Sequence, residues 1–318
     1  MASVVGVDVA KLKLAIVLVT PAGKTLHKSC ANTTAGHADF VRWLTRHAGG
    51  PVAVGLEATG GYQDAVALAL HDAGHRVSLL NPQAIAAYGR SQLRRAKTDP
   101  TDAALIADYV RTQAPPTWTP APLEARQLQA LVRRLDALLA MRTQETNRLE
   151  LAAPIVHPSI AGTVAHLTTE IAAVKRQMAA HIDQFPTLRQ QRDLIESIPG
   201  IGATTAAIVL GELLDIQRFA GVRQLAAFAG LVPQIAQSGT SVRTRGRLTP
   251  HGARRLRKAL YFPALTALRC NPILQRFGAR LRAAGKPPMV IITAAMRKLL
   301  HQIYAVLRSG REFDPLKA

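Results

Sequence analysis

The order of strand-like and helix-like segments in residues 1–112 is the feature that most constrains the fold. Three β-rich runs joined by short polar turns come first, and helical and β-rich segments then alternate. The segments are the strands Ser3–Val9, Leu14–Thr20 and Thr25–Ser29, the helix His37–His47, the strand Val52–Glu57, the helix Tyr62–Ala73, the strand Arg76–Leu80 and a helix from Asp99 to about Thr112. A meander followed by alternating elements predicts an RNase H-like α/β domain.

The remainder of the chain has the pattern of a mostly helical protein. A proline-rich stretch at residues 115–120 indicates a domain boundary. Two heptad-like seams follow, and they predict a helical hairpin that forms either an oligomerising coiled coil or an ordinary two-helix packing. The seam positions are Leu128, Leu131, Leu135, Leu138 and Leu149 in the first helix, and Val164, Leu167, Ile171, Val174, Met178, Ile182 and Phe185 in the second. The predicted domains are therefore 1–114, a helical linker at 115–190 and a mostly α domain at 191–318.

The distribution of charge predicts a polyanionic partner. The chain carries 40 Lys and Arg against 20 Asp and Glu, a formal net charge of +20. Residues 191–318 account for +14 of this excess, residues 1–112 for +4 and residues 113–190 for +2. Nucleic acid is the usual partner of so basic a chain. The alternative is a solubility surface, which would not favour one end of the chain.

Several classes of protein are disfavoured by the same sequence. Cys30 and Cys270 lie far apart and form no C-x-x-C pair, which argues against a zinc site or a disulfide framework. No segment looks long and uncharged enough to span a membrane, and the first apolar stretch is interrupted by Asp8, Lys11 and Lys13, unlike a signal peptide. We therefore expect a cytoplasmic protein with no membrane partner.

Four carboxylates stand out by their positions. Asp8 lies within an apolar strand, where burial of a carboxylate is costly unless it binds a metal or a partner. Glu57 ends the strand Val52–Glu57, and Asp99 and Asp102 lie three residues apart at a helix start, so both can face one way. Four oxygen ligands at one sheet edge predict a Mg²⁺ site that acts on phosphate. Taken singly, Glu57 is also explained by a salt bridge, and Asp99 or Asp102 by helix capping.

An aspartate on a first strand is also typical of actin-like kinases. Such a kinase needs a glycine-rich phosphate turn between its first two strands. The turn here, residues 9–13, contains no glycine, and the basic C-terminal third also disfavours a kinase.

Two further segments predict contacts with nucleic acid. Gly200 and Gly202, in Pro199-Gly200-Ile201-Gly202, match a helix-hairpin-helix turn, where backbone N–H groups approach a phosphate; the alternative is a simple turn between packed helices. Downstream, Thr249 is a candidate cap and Pro250 a candidate first residue for a basic helix. That helix carries Arg254, Arg255, Arg257 and Lys258.

The segment 237–247 contains candidate nucleophiles. Ser238 precedes a glycine, and arginines that can stabilise charge on a phosphate follow it, namely Arg243, Arg245 and Arg247. The same loop could instead grip phosphate through Ser238 and Ser241 without covalent chemistry. Spacing alone separates neither these two readings nor these two serines.

The motifs together resemble the transposases of insertion-sequence family one-ten. Asp8, Glu57 with the following 58–62, and Lys97-Thr98-Asp99-Pro100-Thr101-Asp102 resemble the DEDD motif of that family. Further similarity lies in Ile198–Gly202, Phe228–Pro233, Gln237-Ser238-Gly239 and the basic segment Arg254–Tyr261. The motifs are in order and cover nearly the whole chain.

This resemblance implies more than the residues establish by themselves. It implies a RuvC-like N-terminal domain, a coiled-coil linker and a C-terminal transposase domain. It implies that Ser238 is the nucleophile, joined covalently to DNA while Mg²⁺ on the four carboxylates assists. It also implies a bridge RNA that pairs donor and target DNA, and tetramers in which the carboxylates of one subunit meet the serine of another. The alternatives are a RuvC-like junction resolvase that hydrolyses DNA, and a non-enzymatic nucleic-acid-binding protein.

Overall fold

The computed structural model describes residues 3–58, 60–93, 98–234, 237–238, 242–243, 247–248 and 252–316, with the backbone alone for residues 234, 237–238, 242–243 and 247. The chain forms two compact units, Met1–Pro120 and Ala121–Ala318. The division of the chain into three functional parts stays a prediction.

The first unit is built on a five-stranded sheet. Its strands are β1 (Val4–Val9), β2 (Lys13–Val19), β3 (Thr25–Ala31), β4 (Ala53–Glu57) and β5 (Arg76–Leu80), in the order β3-β2-β1-β4-β5. β2 is antiparallel to β1 and β3, whereas β4 is parallel to β1 and β5. This is the strand arrangement of an RNase H-like, RuvC-like fold, as the sequence predicts.

Four helices accompany this sheet within the described residues: α1 (Thr34–Ala48), α2 (Asp64–Asp72), α3 (Pro82–Ser91) and α4 (Asp99–Gln113). Helix α3 is not predicted from the sequence, in which Asn81-Pro82 is interpreted only as the end of a strand. The Asn81 side chain caps this helix by accepting a hydrogen bond from Gln83 N at 2.9 Å, and Pro82 occupies its first turn.

Close contact between α4 and the sheet depends on two glycines. A Cβ atom added at Gly6 in β1 would lie 2.0 Å from the Ala103 carbonyl oxygen of α4. A Cβ at Gly55 in β4 would lie 2.4 Å from a methyl carbon of Val110. The missing side chains let the α4 backbone approach the centre of the sheet, and this approach brings the start of α4 toward the ends of β1 and β4.

The second unit is mostly helical. Its helices are α5 (Leu123–Leu151), α6 (His157–Gln184), α7 (Pro186–Glu196), α8 (Ala203–Leu213), α9 (Val222–Phe228), α10 (Arg254–Cys270), α11 (Pro272–Ala283) and α12 (Pro288–Ser309). The central seam residues of α5 and α6 are buried in a core that they share with α8, α10 and α12. The hairpin is therefore part of this core, and its role as a coiled coil between chains stays a prediction.

The segment between α9 and α10 contains four short strands in the described residues. β6 (Pro233–Gln234) pairs with β9 (Arg247–Leu248), and β7 (Gln237–Ser238) pairs with β8 (Val242–Arg243). The predicted cap Thr249 and first helical residue Pro250 lie outside the described residues; residues 252–253 are not helical and α10 begins at Arg254. Gly252, with a φ of +102°, has a backbone conformation that L side chains rarely adopt, which ends any helical path before α10.

α12 has the length and composition of a membrane-spanning helix. It has 22 residues, and its apolar 18-residue window has a mean hydropathy of 1.3. The expectation that no segment is long and apolar enough was wrong by this measure. The buried residues of α12 line the core of the second unit, and they include Ala295, Met296, Leu299, Leu300, Ile303 and Val306. The apolar composition of α12 thus serves packing inside this unit.

Candidate active site

Asp8 lies near the carboxyl end of β1, with its side chain half-buried. Burial raises the pKa of this carboxyl above its usual range, and the negative charges of Asp99, Asp102 and Glu57 raise the same pKa further. The other three predicted carboxylates are therefore near enough to Asp8 to act on its charge. An isolated structural aspartate would not be surrounded by three like charges.

Glu57 is brought beside Asp8 by strand pairing. β1 and β4 are parallel neighbours, with Val7 paired to Leu56, and each carboxylate follows its paired residue directly in sequence. The carboxyl ends of two parallel strands meet at one sheet edge, the usual location for ligand sites in α/β proteins.

Asp99 and Asp102 lie in the first turn of α4, but threonines make the capping contacts there. Thr101 Oγ1 accepts a hydrogen bond from Thr98 N at 2.9 Å, and the two threonine hydroxyls lie 3.0 Å apart. Helix capping, the ordinary explanation for either aspartate, is thus provided by other residues. Capping therefore does not account for either carboxylate at this position.

Lys13 is a cation at this site that the sequence analysis did not single out as functional. Its Nζ lies 3.8 Å from Asp99 Oδ2, with the two side chains 56% and 58% exposed. So exposed an ion pair contributes little to stability. The pairing of Val9 with Leu14 places Lys13 just beyond the end of β1, where it reaches the start of α4. Among the described residues, no three His, Cys, Asp or Glu side chains are grouped closely enough to ligate one metal ion.

The predicted phosphate turn lies between α7 and α8, and its two glycines differ. Gly200 has a φ of +103°, and a Cβ there would lie 2.8 Å from Ala267 N in α10. Packing thus explains Gly200 without a ligand. Gly202 is exposed and precedes the first residue of α8, and a Cβ there would meet no atom within 4 Å. Contact of either glycine with phosphate stays a prediction.

The start of α10 is basic, but two of its cations already pair with a carboxylate. Asp136 of α5 accepts a hydrogen bond from Arg255 Nε at 3.1 Å through Oδ2 and from Lys258 Nζ at 2.9 Å through Oδ1. These two cations lower the pKa of Asp136, although its burial acts in the opposite direction. Arg254 is exposed. The segment 216–311 contains 18 Lys and Arg and no Asp or Glu. A carboxylate partner for Arg255 and Lys258 therefore has to come from outside this segment, and Asp136 provides it.

The proposed nucleophile lies in a short hairpin. The backbone of Ser238 pairs with that of Val242, and Gln237 pairs with Arg243. The side chains of Ser238, Arg243 and Arg247, together with residues 241 and 245, lie outside what the structure describes. Their roles therefore stay predictions.

Comparison with known proteins shows the family. Two transposase family models match the chain: DEDD_Tnp_IS110 over residues 5–158, and the model described as transposase IS116/IS110/IS902 family over residues 192–279. The chain is 32% identical over 315 residues to a pilin gene-inverting protein of Moraxella lacunata, covering 98% of this chain and 97% of that protein. The chain belongs to the IS110 family of transposases. It is therefore a DNA recombinase or transposase.

Other similarities cover less of this transposase. It is 29% identical over 161 residues to an insertion element IS110 uncharacterized 43.6 kDa protein of Streptomyces coelicolor, covering 50% of this chain and 38% of that protein. A solved structure of T. thermophilus RuvC in complex with Holliday junction substrate is similar over 37% of this chain and 100% of that chain, with 17% identity and a TM-score of 0.30.

Proposed function

We propose that this transposase cuts and exchanges DNA strands with the aid of Mg²⁺ held by Asp8, Glu57, Asp99 and Asp102. The observation that carries the proposal is the pairing of β1 with β4, which places Asp8 and Glu57 side by side, with burial and the charges of Asp99, Asp102 and Glu57 raising the pKa of Asp8. Mutual repulsion of this kind is relieved by a divalent cation.

The donor set fits Mg²⁺ by its chemistry. All four side chains offer carboxylate oxygens, which hard cations prefer, and they come from two strand ends and one helix start. Joint ligation requires the carboxylates to draw closer together, and Asp99 to leave its ion pair with Lys13. When bound, Mg²⁺ would stabilise the charge that develops on a phosphate as it is attacked.

We further propose Ser238 as the nucleophile. A bond forms between its Oγ and the scissile phosphorus while one phosphorus–oxygen bond of the DNA backbone breaks. The hydroxyl proton passes through solvent to the departing sugar oxygen. One phosphoester replaces another, so rejoining is the reverse step and requires no energy source. Support comes from the family motif and from the sequence of this segment, in which three arginines follow Ser238 within nine residues.

A guide RNA and a homo-oligomer, a dimer or tetramer, complete the proposal. The support for RNA is the resemblance to the family, whereas the basic residues in 216–311 support a nucleic-acid partner without distinguishing RNA from DNA. The support for an oligomer is the apolar end of the α5–α6 hairpin, where Leu151 is 93% and Ile155 is 88% exposed.

The test is a denaturing gel of the purified protein with Mg²⁺, end-labelled junction DNA of the element and RNA transcribed from its flank. The wild type should give a protein-linked DNA band. Ser238→Ala should lose this band, and Asp99→Ala should lose cleavage by at least about 100-fold with the fold intact. Asp72→Ala, an exposed carboxylate on α2, is the matched control and should retain activity.

Two outcomes would contradict parts of this proposal. Free cleaved DNA from both the wild type and Ser238→Ala, with no adduct, would identify a hydrolytic RuvC-like nuclease. Full cleavage by Asp99→Ala would remove the metal site from the mechanism. Salt-sensitive binding with no cleavage under any of these conditions would identify a nucleic-acid-binding protein without this chemistry.

A further inference from the structure

Asn32 follows β3 and joins three segments of the first unit through its side chain. Its Nδ2 donates hydrogen bonds to the carbonyl oxygen of Ala10 at 3.0 Å and to the carbonyl oxygen of Tyr62 at 3.1 Å. Its Oδ1 lies 2.7 Å from Nε2 of His37 in α1. The carboxamide thus uses both of its N–H groups and its oxygen.

The orientation of this carboxamide follows from its partners. Both carbonyl groups are acceptors, so the amide nitrogen must face them and the amide oxygen must face His37. Nε2 of His37 then carries the proton that Asn32 Oδ1 accepts. His37 is 6% exposed, so packing holds its ring in place and the ring in turn holds Asn32.

The two carbonyl acceptors belong to the loops that follow the strand carboxylates. Ala10 lies two residues after Asp8, and Tyr62 lies five residues after Glu57. β1 and β4 are paired up to Val7 and Leu56, and beyond this point the segment after β1 turns back into β2, with Ala10 N donating to Lys13 O. The Asn32 side chain links the two loops by hydrogen bonds just beyond Asp8 and Glu57. The backbone of Asn32 also binds this region, because its N–H donates to Leu12 O at 3.0 Å.

We propose that Asn32 is a positioning residue of the active site, whose carboxamide holds the loops after Asp8 and Glu57 at a fixed separation and so sets the spacing of these two carboxylates. This inference rests on the proposed metal-dependent function. Partners that orient ligating groups without touching the metal typically change metal affinity by about 10- to 100-fold when removed.

Three variants of the full-length protein test this inference. Asn32→Ala removes the carboxamide, and Asn32→Asp keeps its size but removes both donors. Asn81→Ala is the matched control: Asn81 also follows a strand at this sheet edge, and its side chain accepts a hydrogen bond from Gln83 N within its own helix. All three should fold, as checked by circular dichroism and cooperative thermal unfolding.

The first measurement is amide hydrogen exchange without metal. Both Asn32 variants should speed exchange in residues 10–12 and 60–62 by at least about tenfold, because each loop loses a tether. Asn81→Ala should leave exchange in these loops as in the wild type. Unchanged exchange in both loops of the Asn32 variants would overturn the proposal.

The second measurement is Mg²⁺ binding by isothermal titration calorimetry, without DNA. The dissociation constant should rise about 10-fold or more in both Asn32 variants and stay at the wild-type value in Asn81→Ala. Faster exchange with unchanged Mg²⁺ affinity would overturn the positioning role and leave Asn32 as a fold-stabilising residue. If the wild type binds no Mg²⁺, the proposed function itself fails together with this inference, an outcome distinct from loss of the Asn32 effect alone.

Discussion

Gly6 has no side chain at the point where α4 crosses β1. The strand positions Asp8 and the helix positions Asp99 and Asp102, so the spacing between these backbones sets the spacing between the carboxylates. A Cβ at Gly6 would lie 2.0 Å from Ala103 O and 2.3 Å from Ala107 N, both backbone atoms that cannot rotate away. The absence of a side chain at Gly6 therefore sets, from within the core, how closely β1 and α4 hold their carboxylates.

We expect Gly6→Ala to lower the free energy of unfolding by about 1–3 kcal/mol, the usual cost of overpacking a core. It should also reduce cleavage, because α4 must move away from β1. Gly162→Ala is the control: Gly162 lies in α6, where a Cβ would meet nothing within 4 Å. There alanine should stabilise by about 0.5–1 kcal/mol. Urea denaturation measures both, and equal stability of the two variants would contradict the close approach.

His75 provides a prediction for pH. Burial lowers the pKa of its imidazole. Its Nδ1 accepts a hydrogen bond from Val52 N at 3.4 Å, and its buried Nε2 has no hydrogen-bond partner among the described residues. A histidine whose pKa is lower in the folded than in the unfolded protein stabilises the folded state at pH values above its unfolded pKa. This contribution is lost as the pH falls through the folded pKa.

We therefore expect the free energy of unfolding to fall between about pH 7.5 and about pH 5.5, with a smaller fall in His75→Asn, whose amide oxygen can still accept from Val52 N. Urea titrations at the two pH values measure the change. His27→Asn, at an exposed position of β3, is the control. An identical pH dependence in the wild type and His75→Asn would show that ionisation of His75 is not linked to unfolding.

At the scale of elements, α10 meets α5 through a charge network rather than presenting every cation to solvent. Asp136 has a side chain 33% exposed, and it pairs with Arg255 and Lys258, which are 43% and 61% exposed. Such partly exposed pairs contribute little to stability. They do compete with any phosphate that approaches the same two cations.

We expect Asp136→Asn to bind DNA roughly three- to tenfold more tightly, because two cations become available to phosphates. The plot of log affinity against log salt should steepen by up to about 2 units if both contact phosphate. Fluorescence anisotropy over a salt series measures this. Asp183→Asn makes the same charge change beside Arg192, which retains Asp193, and serves as control. Equal gains in both variants would attribute the effect to net charge alone.

At the scale of the whole molecule, the hairpin of the second unit has an apolar end that its own core does not cover. Leu151 is 93% exposed and Ile155 is 88% exposed, near the turn between α5 and α6. A double change of Leu151→Gln and Ile155→Gln should lower the oligomer mass measured by light scattering. Leu123→Gln, 59% exposed at the start of α5, should leave it unchanged. An unchanged mass in the double variant would place the interface elsewhere.

The amino-acid sequence by itself determined the RNase H-like order of strands and helices, and it predicts that Asp8, Glu57, Asp99 and Asp102 form one site. These features follow from local periodicity and from the rule that parallel strands present their carboxyl ends together. The signal for helix α3 was also local, namely Asn81 followed by Pro82. An Asn-Pro pair is typical both of the end of a strand and of the start of a helix, so it does not separate the two.

Only the tertiary structure decided which groups meet across long stretches of chain. Asp136 lies 119 residues from Arg255, and Asn32 lies 22 residues from Ala10 and 30 from Tyr62. Neither pairing produces a periodic pattern in the sequence, because a hydrogen bond between distant residues constrains only the two groups that form it. The packing of α4 on Gly6 is of the same kind. Local sequence specifies which elements form, whereas the distances between carboxylates and cations depend on how close those elements can pack.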